Sequence, residues 1–373
     1  MTYGNYPDLK NIRRILVVKM RHHGDVLLAS SFFSNLQRAI PSAQIDPFIY
    51  LDTLPMLEGH PAISECILYD RAWKKLPFWK KIAKELSLLV RIYRGKYDLV
   101  INLTEGDRGS LAAWISRARY RVGFDPGKKG LFAKRKLYTH LVKNCPHPRH
   151  TVERQLDVLR RIGIFPEMAD RDLFLHIPED AKIRVQALLQ ERGVNGPYVV
   201  IHPVSRWRFK CLSPRQMAQV IELLHSKNQT VVLSCGREPQ EIAMIEEILL
   251  LVPSIPVVNL AGQITLKELA ALISSSAALI SVDSVPLHIA SATKTPVVAL
   301  FGPTSEKNWG PWMHQKARVI AQNFSCRPCY QDGCGGSKKS DCLLSIDPKA
   351  IVAALEEVLE MRSVLKMELQ SSI

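Results

Sequence analysis

Short runs of consecutive apolar residues alternate with longer stretches of helical spacing along most of the chain. Arg14–Met20 (RILVVKM), Gln44–Tyr50 and Tyr97–Leu103 (YDLVINL) read as strands in the first half, and Tyr198–His202, Gln229–Cys235, Val257–Leu260, Ala278–Val282 and Val297–Phe301 in the second. Runs that are apolar throughout belong to strands covered on both faces. Between them, Val26–Ala39 carries apolar residues at helical spacing and stops at Pro41. Ser213-Pro214 is an N-cap followed by proline at the first helical position, and Thr265 with Glu268 forms a capping box ahead of Leu269–Ile273. Asp347-Pro348 opens a last helix expected to run to about Arg362. Buried strands alternating with helices are the pattern of βαβ units and a mainly parallel sheet.

The strands of each half end in polar or glycine-bearing segments. After the first comes Arg21-His22-His23-Gly24-Asp25; after Leu103 comes Thr104-Glu105-Gly106-Asp107. In the second half the strand ends lead into Pro203–Lys210, Gly236-Arg237-Glu238 and Ala261–Ile264. A turn signal at Asn195-Gly196-Pro197 precedes this second series. The expected organisation is an α/β chain of two Rossmann-like domains, residues 1–175 and 176–373, with the final helix free to pack back on the first.

The stretch from Ala278 to Thr304 carries the clearest chemistry. A buried strand runs into Asp283-Ser284, Pro286 opens a short helix over Leu287–Ala292, and a second strand ends at Gly302-Pro303-Thr304. Open α/β sheets bind ligands at the carboxyl ends of their strands, where a starting helix offers free N–H groups and a partial positive charge to phosphate. A nucleotide diphosphate at Asp283–His288 is the expected occupant.

Composition narrows the setting. The 373 residues are 47% hydrophobic and 23% charged, which is typical of a globular protein. No apolar run approaches the roughly 20 residues of a spanning helix, and the first residues lack the apolar core of a signal peptide, so a cytoplasmic protein is expected. The formal charge of +15 calls for an anionic partner. Nucleic acid is not expected, because the basic clusters lack interleaved stacking residues and no DNA-binding module is recognisable. Trp73–Lys96 instead reads as an amphipathic helix with one basic face, suited either to packing on the sheet or to docking on anionic lipid headgroups. Lys128-Lys129 and Lys134-Arg135-Lys136 form a second cluster.

Of eight cysteines, four sit close together as Cys326-x-x-Cys329-x4-Cys334-x7-Cys342 in a loop rich in Gly, Lys and Ser. The spacing is compatible with a structural metal, with free thiols or with a disulfide.

Lys19–Leu27 (KMRHHGDVL), the Ser205–Lys210 loop, Ser281–His288 (SVDSVPLH) and Phe301–Thr304 (FGPT) together resemble the signature blocks of glycosyltransferase family 9, the ADP-heptose:lipopolysaccharide heptosyltransferases. The match extends from Arg14 to about Leu359. The form His22–Leu28 most resembles the members that add the third, branching heptose of the inner core.

The resemblance implies a GT-B fold, two Rossmann-like domains with parallel sheets facing across a cleft, and metal-independent inverting transfer of L-glycero-D-manno-heptose from ADP-heptose, with no cofactor. The implied acceptor is a heptose of the lipid-anchored lipopolysaccharide core, reached by a cytoplasmic enzyme peripheral on the anionic inner face of the inner membrane. Asp25 is implied as the general base, with Gly24 allowing close backbone approach; a helix cap is the other role for a carboxylate here. Lys210 and Ser205 are implied diphosphate contacts, and Asp283 a contact to a donor sugar hydroxyl. Ser284, Val285 and His288 would meet the phosphates through backbone amides and an imidazole, Ile264 would lie beside the adenine and Glu241 would reach the ribose. This chain departs from the pattern in Val285-Pro286, where proline removes a donor N–H, and in the crowded Trp207-Arg208-Phe209. The alternative is another nucleotide-sugar enzyme of similar fold, epimerase-like or with a different donor.

Overall fold

A computed structural model describes residues 6–127 and 134–371. The chain divides into two compact units, the first ending at His176 and the second starting at Ile177. In the first, the elements run β1 (Arg14–Val18), α1 (His23–Leu27), α2 (Ser30–Ala39), β2 (Gln44–Tyr50), β3 (Ile67–Tyr69), α3 (Phe78–Arg94), β4 (Leu99–Asn102), α4 (Asp107–Ile115), β5 (Tyr120–Phe124), β6 (His140–Val142) and α5 (Thr151–Arg161). All five strand pairings are parallel, in the order β3-β2-β1-β4-β5-β6. β1 lies centrally, with Leu16 registered against Asp46 on one side and Val100 on the other. Its Ile15, Leu16, Val17 and Val18 are wholly buried, as a strand covered on both faces requires.

The second unit has α6 (Glu179–Glu191), β7 (Tyr198–His202), α7 (Pro214–Ser226), β8 (Thr230–Leu233), α8 (Pro239–Leu251), β9 (Val258–Asn259), α9 (Leu266–Ser275), β10 (Ala278–Val282), α10 (Val285–Thr293), β11 (Val297–Phe301), α11 (Glu306–Trp309), β12 (Ala317–Ala321), α12 (Asp341–Leu344) and α13 (Pro348–Ser371). Its sheet is again parallel throughout, ordered β12-β11-β10-β7-β8-β9. Ile201, Val282, Leu300, Met217, Ile221, Ile245 and Leu355 belong to one core in which α7, α8 and α13 cover a face of this sheet. The strand ends β7 to β10 therefore share one edge, as their polar loops anticipated.

Local signals predicted the helix starts well. Ser213 accepts from the Gln216 N–H and Thr265 from the Glu268 N–H, each completing a capping box. The helix expected over Val26–Ala39 is instead two helices. The first begins earlier, at His23, and a bend at Leu28-Ala29 separates it from α2. Every residue from Val26 to Phe33 is completely buried, so the bend is enclosed on all sides.

The basic clusters fare differently. Lys128-Lys129 lies outside the described residues, whereas Lys134 is buried, donates to the Glu105 carbonyl and pairs with Asp107 at 3.0 Å. Arg135 pairs with Asp125 at 3.2 Å. These two cations brace the fold.

Candidate active site

In each unit the sheet order reverses beside its first strand, between β1 and β4 and between β7 and β10. Connections leave in opposite directions at such a point, opening a crevice at the strand ends. Asp25 lies at the first of these places and Ser205, Lys210, Asp283, Ser284, Val285 and His288 at the second, whereas Glu241 and Ile264 follow β8 and β9.

In the first unit Lys19 follows β1 directly, Arg21 comes two residues later, and Asp25 sits in the first turn of α1. The N-cap of α1 is His22, so the carboxylate of Asp25 is not committed as a cap. Asp25 Oδ1 lies 3.8 Å from both Lys19 Nζ and the Arg21 guanidinium. The Lys19 side chain is only 4% exposed. Burial pulls its ammonium down from 10.5 to about 8, while the charge of Asp25 works in the opposite direction. Two residues past β4, Thr104 Oγ1 accepts the Met20 N–H at 2.9 Å, and Oδ1 of Asn102, the last residue of β4, accepts the Thr104 N–H at 2.9 Å. The loop bearing the carboxylate is thus tied to the neighbouring strand across the reversal. His23 Nε2 donates to the Asp52 carbonyl at 2.8 Å.

In the second unit the Ser205–Lys210 loop leaves β7 and Asp283 follows β10. Lys210 Nζ donates to Asp283 Oδ2 at 2.6 Å, with side-chain exposures of 18% and 6%. Ser284 is the N-cap of α10 in an extended conformation, and its side chain makes no capping bond; its hydroxyl turns back to the Val282 carbonyl. Pro286 occupies the first turn of α10, as expected, and Val285 precedes it as the first helical residue. His288 is buried on the same helix.

Three residues stand apart from the Lys210–Asp283 pair in these hydrogen bonds. Ser205 Oγ accepts from the Trp207 N–H at 3.3 Å, closing a turn within its own loop. Glu241 Oε2 accepts the Gly236 N–H at 2.8 Å, with its carboxyl pushed up by burial. Ile264 is buried in the turn after β9, at the sheet edge two strands from β7. His202, at the end of β7, bonds to Ser234 and burial lowers it to about 3, so it contributes a neutral imidazole.

Sequence reasoning missed the brace behind this site. Arg327 donates to the carbonyls of Gly302 and Gln322 and pairs with Glu306 at 2.9 Å, fixing the segment after β11. The Tyr330 N–H bonds to the Pro303 carbonyl, and the charge of Asp283 helps raise its phenol, behind the larger effect of burial. Ser340 Oγ donates to the Phe209 carbonyl at 2.7 Å. The cysteine-rich loop thus buttresses both sides of the ion pair. All four of its cysteines are free, and among the described residues no group of three or more His, Cys, Asp or Glu side chains is placed to hold a metal ion. The loop carries a single Arg and a single Tyr among its Gly, Lys and Ser residues, so the sequence held no clear signal for the brace.

Two Rossmann-like units, each with its polar constellation where the strand order reverses, define the GT-B type of glycosyltransferase. Residues 86–339 match the model of glycosyltransferase family 9 (heptosyltransferase), and the chain belongs to that family. It is 36% identical over 341 residues to lipopolysaccharide heptosyltransferase 3 of Escherichia coli K12, covering 91% of this chain and 96% of that one. Its fold is similar to the family 9 glycosyl transferase of Veillonella parvula, with TM-score 0.79, 24% identity and coverage of 96% and 100%. It is also similar to E. coli heptosyltransferase WaaC with ADP, with TM-score 0.70, 20% identity and coverage of 92% and 99%. Membership of this family favours sugar transfer over the epimerase-like alternative. Among the described residues no helix is long and apolar enough to cross a membrane.

Proposed function

We propose that this enzyme transfers L-glycero-D-manno-heptose from ADP-heptose to a heptose of the lipopolysaccharide inner core, in keeping with an E. coli K12 relative named lipopolysaccharide heptosyltransferase 3. The observation that carries the site assignment is the Lys210–Asp283 pair beside the uncapped start of α10, at the strand reversal of the second sheet. An ammonium group has three N–H donors. One is held by Asp283, leaving two for phosphate oxygens.

In this reading Asp25 takes the proton of the acceptor hydroxyl as that oxygen attacks the anomeric carbon. The bond from that carbon to the phosphate oxygen breaks with inversion, and ADP departs. Lys210 and the first N–H groups of α10, from Ser284 and Val285, neutralise the departing diphosphate, with His288 and Ser205 as further contacts. Asp283 orients Lys210 and accepts from a donor hydroxyl, and Ile264 lies against the adenine. The leaving group is stabilised by these fixed charges and dipoles, with no cofactor required. The acceptor is lipid-anchored, so the enzyme works as a peripheral protein at the anionic inner face of the inner membrane.

The test is mass spectrometry of the products from ADP-heptose and a series of truncated core acceptors. A single added heptose, appearing only on acceptors that already carry core heptose, is the expected result. Turnover of the donor without any acceptor, or addition to a heptose-free acceptor, would overturn the reading.

A further inference from the structure

The helix α3 has two apolar faces, and the fold uses one. Leu88 and Ile92 are buried against the first sheet, and Glu85 fastens the same side by accepting from Tyr69 and Arg108, each at 2.9 Å. Trp79, Leu86, Val90 and Tyr93 recur at spacings of seven, four and three, which aligns them along a second stripe. These four are 77%, 56%, 44% and 48% exposed, and Phe78, 66% exposed, packs edge-to-face against Trp79 at the helix start. Lys80, Arg91 and Arg94 each follow a stripe residue by one position, and Lys84, four positions after Lys80 and seven before Arg91, continues the same flank beside the stripe. Among the described residues, Lys74, Lys75, Lys80, Lys81 and Lys84 make no ion pair, while Arg91 pairs with Glu65.

We infer that this stripe and its basic flank form the surface by which the enzyme docks on an anionic lipid layer. The inference rests on the reading of a lipid-anchored acceptor and names the part of the chain that meets the membrane. An apolar stripe with exposed aromatic residues enters the headgroup boundary, while lysines beside it remain with the anionic headgroups. A second copy of the chain fits poorly, because pairing the stripe with itself would bring together two rows of like charge that include the unpaired Lys80 and Lys84. Position agrees as well. Arg71, in the turn that leads into the helix, pairs with Asp52 and donates to the Arg21 carbonyl at 3.4 Å, which ties the approach to α3 to the segment just ahead of Asp25. Docking there would hold the enzyme where a sugar close to its lipid anchor meets that loop.

The experiment is flotation of the full-length enzyme with vesicles of phosphatidylcholine alone, or of phosphatidylcholine with about a third phosphatidylglycerol. Each cation at such a surface contributes about 1 kcal/mol, or roughly fivefold. Binding is expected only to the anionic vesicles, with about 25-fold weaker partition for K80Q/K84Q and a comparable loss for W79S/L86S. Both variants should transfer heptose to a water-soluble, delipidated core acceptor within about twofold of wild type. The inference fails if wild type does not float with anionic vesicles, if it floats equally with neutral ones, or if the variants float like wild type. It also fails if W79S/L86S instead abolishes a concentration-dependent dimer. Transfer to the soluble acceptor reports the functional reading separately, since it needs no vesicle.

Discussion

Lys210 Nζ and Asp283 Oδ2 are 2.6 Å apart although 73 positions separate them in the chain. The contact forms because β7 and β10 are neighbours in the second sheet, with Ser281 registered against His202, so their following loops meet. Asp283 is held almost entirely out of water, and its charge is balanced by an ammonium that keeps donors to spare.

Replacing Lys210 by methionine should therefore have two effects. Loss of charge-assisted bonds of roughly 1.5–3 kcal/mol weakens ADP binding about 10- to 100-fold. It also leaves a buried carboxylate unpaired, so the thermal midpoint falls. K210M/D283N should recover much of that midpoint without recovering ADP affinity. Calorimetric titration and thermal unfolding of both variants check this, and unchanged ADP affinity in K210M would remove the residue from the donor site.

Asp25→Asn keeps the shape of the side chain and removes its basicity. A general base contributes on the order of 10²- to 10⁴-fold, so kcat should drop by that amount while ADP affinity stays within about threefold. Single-turnover transfer assays beside ADP titrations provide the measurement. Near-normal turnover would assign the proton elsewhere.

Lys19 gives the first unit a pH signature. Its native ammonium ionises near 8, below its ordinary value of 10.5, chiefly because it is buried. Below pH 8 both native and unfolded chains hold the proton and the cost of burying the charge is fully present. Between 8 and 10.5 the unfolded chain binds more protons, so the contribution of this group to stability rises with pH. Urea unfolding of wild type and K19M across this range should show the difference moving in favour of wild type as pH increases. A pH-independent difference would contradict the assignment.

Gly302 tests the brace behind the donor site. A Cβ built there would come 2.5 Å from Cγ of Leu343, which is wholly buried. Overpacking of this kind typically costs about 1–3 kcal/mol. Gly302→Ala should lower the unfolding midpoint and, by displacing the segment held by Arg327, raise KM for ADP-heptose more than it lowers kcat.

The central strands were legible because a strand buried on both faces must be largely apolar, and β1, β4, β7 and β10 each depart from that at a single position, Arg14, Asn102, His202 and Ser281. β3, β5, β6 and β12 escaped notice: β3, β6 and β12 are sheet edges of three to five residues with too little buried length to impose a pattern, and in β5 Arg121 and Gly123 interrupt the apolar run. Capping boxes at Ser213 and Thr265 could be read directly, since their hydrogen bonds close within three residues. The sequence by itself determined the alternation of strands and helices, the polar character of the strand ends, and the residue types available there for proton transfer and phosphate binding. Only the tertiary structure decided that Lys210 meets Asp283, that Lys19 is buried beside Asp25 and that α3 leaves one apolar face outward. Each of those outcomes depends on which strands lie side by side and which helix face the sheet covers, and long-range packing chooses both.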